Sequence, residues 1–212
     1  MKKIVILLGL SLYMGLNANA QVFEIKPSYG YQFGSTLNYG PDYIKIEDSD
    51  QFGITAGVEV FNDLIVELSY TRMSTVLNVR DVFIAPRETF LADLNADWFF
   101  VGSTRYFQTD VVKPFFGGGL GFVVLTPENE NQDLAEPGTT YSLRSSTRFA
   151  FSFKGGVNIM FNESIGFNIQ GNLYFPVNWA GAYVGPGGVS ISTGSTVILG
   201  GFSGGLVLRF GN

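Results

Sequence analysis

FEIKPSYGYQFG, residues 23–34, sorts into two faces. Phe23, Ile25, Pro27, Tyr29, Tyr31 and Phe33 take the odd positions; Glu24, Lys26, Ser28, Gly30, Gln32 and Gly34 take the even ones. Successive side chains of a β-strand point to opposite sides. This stretch is therefore a strand with an apolar, aromatic face and a polar or very small face, lying between two different solvents.

The pattern recurs along the chain. Phe52, Ile54, Ala56, Val58 and Val60 alternate with Gln51, Gly53, Thr55, Gly57 and Glu59. Asn62 and Asp63 signal a tight turn. Leu64, Val66, Leu68 and Tyr70 then alternate with Ile65, Glu67, Ser69 and Thr71. A fourth stretch sets Ala96, Trp98, Phe100, Gly102 and Tyr106 against Asn95, Asp97, Ser103 and Arg105, with Phe99 and Val101 as apolar exceptions on the polar side. The fifth sets Pro114, Phe116, Leu120 and Phe122 against Phe115, Gly117, Gly119, Gly121 and Val123. The sixth sets Phe149, Phe151, Phe153, Val157 and Ile159 against Ala150, Ser152, Lys154 and Asn158. The seventh sets Ile165, Phe167, Ile169 and Leu173 against Gly166, Asn168, Gln170 and Asn172. In the eighth, Ile198, Phe202, Leu206, Leu208 and Phe210 oppose Ser203, Gly205 and Arg209.

Eight strands of spanning length, about 9–11 residues or more each, predict an all-β, eight-stranded, antiparallel up-and-down transmembrane β-barrel. The connections alternate. Those after strands two, four and six are tight; those over 36–50, 73–94, 126–147 and 177–195 are long. Short periplasmic turns and long outer loops are the rule for such barrels, and an even count returns both termini to the periplasmic side. Lipid offers no partner for backbone N–H and C=O groups, so the sheet must close to remove its edges.

Composition agrees. Charged residues make up 15% of the chain, well below the quarter or so of a soluble domain. Aromatics also reach 15%. Beyond the first twenty residues no run approaches the eighteen apolar residues of a membrane helix, so the grease is spread with period two. A lipocalin-like barrel or β-sandwich would also alternate. Its outer face would carry more charge than these Gly-, Ser- and Asn-rich faces do.

The chain begins with Lys2 and Lys3, an apolar stretch from Ile4 to Leu16, and Ala18, Asn19, Ala20. These are the parts of a secretory signal peptide. The expected division is residues 1–20 as signal and 21–212 as barrel, with Gln21 first in the mature chain.

There is no Cys, hence no disulfide framework or thiolate metal site. The net charge of −5 argues against a nucleic-acid partner. There is also no His. Gly201, Phe202, Ser203, Gly204 and Gly205 match the G-x-S-x-G elbow, which needs a strand–turn–helix setting and a His partner. The match falls inside a strand, so small inward residues are the expected reading. Neither enzymatic activity nor a cofactor is expected.

The inward charges nearly balance: Glu24, Glu59, Glu67 and Asp97 against Lys26, Arg105, Lys154 and Arg209. Buried charge is costly unless paired. An internal salt-bridge network is expected, with Glu59, Glu67, Arg105 and Arg209 near one end and able to share a layer. An eight-stranded lumen is just wide enough to be filled by side chains. The charges are read as a polar plug, with a gated pore or proton path as the competing reading. Asp42, Glu47, Asp48 and Asp50 make the first long loop acidic; Glu128, Glu130, Asp133 and Glu136 do so for the third. They are read as solvated loops before cation sites, because no EF-hand spacing appears. Tyr29, Tyr31, Trp98, Tyr106 and Tyr174 include candidates for interfacial aromatic girdles.

Lys113, Pro114, Phe115, Phe116, Gly117, Gly118, Gly119, Leu120, Gly121 and Phe122 resemble the K-P-Y-x-G-x-G-x-G-Y strand of OmpA/OmpX-type outer-membrane β-barrel proteins. Ser203, Gly205, Leu208 and Phe210 resemble the terminal signal read by the barrel-assembly machinery; here Gly211 and Asn212 follow the final Phe. The resemblance implies a monomer in the bacterial outer membrane, surrounded by membrane lipids and lipopolysaccharide. It implies a structural or surface-interaction role, or alternatively porin-like or hydrophobic-molecule transport.

Overall fold

A computed structural model describes residues 22–211 apart from 84, 108–110, 135–141, 178–182, 186–187 and 191–196. The expected signal segment, Glu136 and most of the fourth long connection lie outside the described residues. The strands are β1 (Phe23–Gln32), β2 (Ser35–Tyr39), β3 (Asp42–Ile46), β4 (Ser49–Phe61), β5 (Leu64–Asp81), β6 (Ala85–Tyr106), β7 (Val112–Glu128), β8 (Ser146–Met160), β9 (Ile165–Pro176), β10 (Tyr183–Gly185), β11 (Gly188–Ser190) and β12 (Leu199–Phe210).

Eight of these form a closed antiparallel ring in the order β1, β4, β5, β6, β7, β8, β9, β12 and back to β1. The seam runs from Phe23 opposite Phe210 to Gln32 opposite Gly201. Tight connections fall at Asn62–Asp63 and at 161–164, where Asn, Asp and Ser signal them; the expected turn between β6 and β7, Gln108 to Val112, lies largely outside the described residues. Asp63 takes a left-handed φ of 66° at the β4–β5 turn, a conformation Asp tolerates better than most residues.

The ring's outer face is apolar. Ile54, Tyr70, Phe99, Phe122 and Phe149 form one row across five strands. Large side chains stand exposed on every ring strand, among them Tyr29, Phe52, Leu68, Val101, Phe116, Phe151, Phe167 and Phe202. An apolar surface that encircles the molecule requires a hydrocarbon solvent.

Two expectations are corrected. First, β6 has the opposite facing to the one its polar residues suggest. Trp98, Phe100 and Tyr106 are buried on the lumen side, and Phe99 and Val101 are exposed. Asp97 and Arg105 therefore point outward and take no part in the interior network. The reason is length. At 22 residues, β6 is about twice what the hydrocarbon needs, so polar outward residues are solvated near both of its boundaries. The same reversal puts Trp98 and Tyr106 in the lumen, not in a girdle, and Tyr174 joins them there from the inner face of β9; Tyr29 and Tyr31 do face outward.

Second, the first two long connections are mostly strand. β2 and β3 form a hairpin laid on β5, with Tyr43 opposite Arg80 and Ile46 opposite Leu77. β5 and β6 stay paired to Asp81 opposite Ala85. Leu37, Ile44, Leu77, Val79, Leu91 and Leu94 are buried there, so the extension carries an apolar interior of its own.

An arginine placed at Val101 should cost about 2–4 kcal/mol of folding stability, as expected near a bilayer midplane, in urea unfolding from lipid vesicles. A cost near zero would take Val101 out of the hydrocarbon and restore the opposite facing.

Candidate functional site: the layered interior and the outer wall

The interior is stacked in layers. Nearest the short turns, Ile65, Tyr106 and Phe115 pack together. Around them lies the charge network. Arg209 of β12 sets Nη2 3.0 Å from Glu59 Oε2 and Nε 3.5 Å from Glu24 Oε2. Lys26 Nζ lies 2.8 Å from Glu24 Oε1 and 3.8 Å from Glu67 Oε2. It also donates to the Tyr106 hydroxyl at 3.1 Å, and that hydroxyl donates to Glu24 Oε1 at 2.6 Å. Lys154 pairs with Glu67 at 2.5 Å. Asn158 donates to the Tyr106 oxygen, and Asn168 donates to Asn158.

Of the eight expected charges the structure gathers six: Glu24, Glu59 and Glu67 with Lys26, Lys154 and Arg209. Three against three is neutral, which is what burial in a low dielectric demands. Several links join strands that are not neighbours. Lys154 on β8 reaches Glu67 on β5, and Tyr106 on β6 reaches Glu24 on β1, so both cross the lumen.

Tyr106 is the hub that polarity alone missed. Its position was readable from its strand partner. β7 shows its inner face by Gly117, Gly119 and Gly121, and the β6 residues paired with that face, Thr104, Gly102 and Phe100, share their parity with Tyr106. A β-carbon at Gly121, beside Phe100, would collide with the Phe99 carbonyl oxygen.

Above the charges sits a polar cavity of about 30 Å³, lined in part by Glu67, Lys154, Ser28, Thr55, Ser152 and Asn172. Higher still, Gln51 Nε2 donates to Asn172 Oδ1 and Asn172 Nδ2 donates to Gln32 Oε1, each at 3.0 Å. An aromatic layer follows. Tyr174 of β9 stacks on Trp98 and Phe100 of β6, with ring centres 4.9 and 5.4 Å apart. Its hydroxyl donates to Thr71 Oγ1 of β5 at 3.3 Å. These contacts also join non-adjacent strands.

Ser203 is buried on the inner face of β12. The whole G-x-S-x-G match lies within that strand, away from the strand–turn–helix setting its chemistry needs.

The outer wall changes character with height. Above the row of Ile54, Tyr70 and Phe99 comes Phe52, Arg72 and Asp97, then Ser74 and Asn95. Tyrosine hydroxyls meet carboxylates here: Tyr29 donates to Asp50 at 2.6 Å, Tyr31 to Asp48 at 2.8 Å and Tyr70 to Asp97 at 2.6 Å. Most first-loop acids hold the hairpin. Asp42 accepts the Val82 N–H, and Glu47 pairs with Lys45 and accepts from Asn78. Among the described residues no group of three or more acidic side chains is placed to hold a metal ion.

Asp48 sits between β3 and β4. The Gly34 N–H and the Tyr31 hydroxyl hold its carboxyl below the usual carboxylate range. A carboxylate depressed in the folded state stabilises above its unfolded pKa, about 3.9, and loses that contribution as pH falls through the folded value. NMR titration of Asp48 should give a midpoint below that value, shifting upward in Tyr31→Phe. An unshifted midpoint would show that the contacts do not hold in solution.

Glu67→Gln leaves Lys26 and Lys154 short of countercharge and should cost about 3–5 kcal/mol. Adding Lys154→Met should recover part of that cost. Additive losses in unfolding from vesicles would show that the two residues are not coupled.

A closed ring with an apolar outer belt and an ion-paired interior defines a membrane-spanning β-barrel. No protein-family profile and no curated protein matches the sequence. Solved structures do match. The outer membrane protein OprG from Pseudomonas aeruginosa aligns with a TM-score of 0.68 at 14% identity, over 92% of this chain and 98% of that one. Neisserial surface protein A aligns with a TM-score of 0.57 at 17% identity, over 89% and 97%. Outer membrane protein AlkL, solved in lipid bilayers, aligns with a TM-score of 0.53 at 12% identity, over 92% of each chain. The chain has the eight-stranded fold of OmpA/OmpX-type outer-membrane barrels.

Proposed function

We propose that this is a non-enzymatic integral outer-membrane protein with a closed lumen, acting at its long-loop end in a structural or surface-interaction role. The observation that carries this is the bridging of the lumen at two heights, by Lys154 to Glu67 and by Tyr174 to Thr71. An ion on its way through has to break a neutral network in a low dielectric, and uncompensated buried charge costs several kcal/mol. The lumen of an eight-stranded barrel has little width to spare.

In this reading residues 1–20 are removed on export, both termini lie in the periplasm, and the β2–β3 and β5–β6 extensions face outward from the cell. The barrel is a monomer among outer-membrane lipids and lipopolysaccharide. Ser203, Gly205, Leu208 and Phe210 are offered to the barrel-assembly machinery before β12 closes the ring.

One observation favours a second reading, transport of a small apolar molecule. Above the aromatic layer the interior is lined by Ile44, Leu77, Val79, Leu91 and Leu94.

Planar-bilayer recording of the purified barrel tests the first reading. No steady openings are expected. Openings that change when Glu59 or Arg209 is neutralised would turn the network into a conduction path. Faster entry of an apolar dye into barrel-containing vesicles than into empty ones would move the second reading ahead. Phe210→Ser should sharply lower the yield of heat-modifiable barrel in cells while refolding in detergent persists. An unchanged cellular yield would remove Phe210 from the assembly signal.

A further inference from the structure

We propose that the chain carries a second copy of its assembly signal at the short-turn end of β8, and that the barrel-assembly machinery engages β8 as well as β12. The inference rests on reading Ser203, Gly205, Leu208 and Phe210 as the terminal signal.

That pattern is a polar residue, Gly two positions on, an apolar residue three beyond it, and Phe two beyond that. Lys154, Gly156, Ile159 and Phe161 repeat it with the same spacing. No other glycine of the chain has a polar residue two before it, an apolar residue three after it and Phe five after it. The other strands that run toward the short turns break the pattern. β6 keeps Gly102 and Phe107 but sets Phe100 and Arg105 at the other two positions. β4 ends on Phe61, with Ile54, Ala56 and Glu59 before it.

The two copies take the same posture in the barrel. Lys154 and Ser203 turn into the lumen. Ile159 sits opposite Phe167, and Leu208 opposite Ile165, on the outer face. Phe161 is 69% exposed and Phe210 53%, so most of each ring is left uncovered by the barrel itself.

The glycines match as well. A β-carbon at Gly156 would collide with the Ile169 carbonyl oxygen of β9, and one at Gly205 with the Pro27 carbonyl oxygen of β1. Each glycine thus clears the flank that the next strand of the ring will occupy, β9 beside β8 and β1 beside β12. Until that strand arrives the flank is an open edge, and unpaired backbone is costly in hydrocarbon. The need arises once at β8, with β9 and β12 still to come, and again at β12 before closure. A partner that pairs with the edge in the meantime finds backbone within reach at the glycine and an aromatic ring projecting at the rim.

Pulse-labelling of the full-length chain in cells, read as the yield of heat-modifiable barrel, tests this. Phe161→Ser should lower the yield several-fold while refolding in detergent persists. Phe61→Ser, which changes a rim Phe outside the pattern, should leave the yield near that of the unaltered chain. A photo-crosslinking side chain in place of Phe161 should capture the assembly machinery during the pulse, and one in place of Phe61 should not. An unchanged yield for Phe161→Ser beside a lowered one for Phe210→Ser overturns the second copy and leaves the terminal signal standing. Unchanged yields for both overturn the terminal reading, and this one with it. Equal losses for Phe161→Ser and Phe61→Ser, a Phe161→Ser chain that fails to refold in detergent, or no capture from position 161 each overturn the proposal and leave Phe161 a structural part of the rim.

Discussion

The seam between β1 and β12 is the contact on which the rest depends. Inside hydrocarbon, each unpaired backbone N–H or C=O costs several kcal/mol. An open eight-stranded sheet would leave two full edges unpaired. Pairing Phe23 with Phe210 through to Gln32 with Gly201 removes both edges at once. It also encloses a lumen too narrow to stay empty, so the inner faces become a packing problem as well as an electrostatic one.

The chain solves that problem in layers. Charge sits low, where six groups from β1, β4, β5, β8 and β12 neutralise one another. Amides and hydroxyls occupy the middle, and aromatic rings close the upper level. Cross-lumen contacts tie strands far apart in the ring, so the layers also resist flattening of the barrel. Above the aromatic level the sheet continues without hydrocarbon around it, and its inner face turns apolar while its outer face turns polar. The two faces exchange character because the solvent outside changes from lipid to water.

That exchange explains what was legible in the sequence. Strands such as β1, β8 and β9 stay close to the membrane thickness, so one rule, apolar outside and polar inside, holds along their length. β6 runs well past it. Asp97 and Arg105 are polar and outward because they lie near the boundaries, while Trp98 and Tyr106 are aromatic and inward because the narrow lumen needs filling. Single-strand alternation has no way to separate these cases. Pairing β6 against β7 does, since the glycine face of β7 marks the inside. The extension was hidden for a related reason. Met73, Thr75, Leu77 and Val79 keep strict alternation, but with the hydrophobic side turned inward, opposite to the sense of the strand below. Five of the six gathered charges were readable because they sit on strands of more ordinary length, and the sixth, Glu67, because it lies in the lower part of β5, where apolar outside and polar inside still holds.

The β5–β6 hairpin has a consequence in terms of reach. Twenty-two residues at about 3.3 Å each give β6 a contour near 70 Å. With a tilt of about 40° and an apolar belt about 25 Å tall, roughly 30 Å of hairpin stands clear of the bilayer. Its tip presents Val82 and Phe83, with Phe83 93% exposed. A loop of that length would sample many heights and orientations, whereas a paired sheet fixes one. A partner that reaches this hairpin therefore meets a paired sheet with an aromatic tip. Little conformational entropy remains to be lost when that tip is captured.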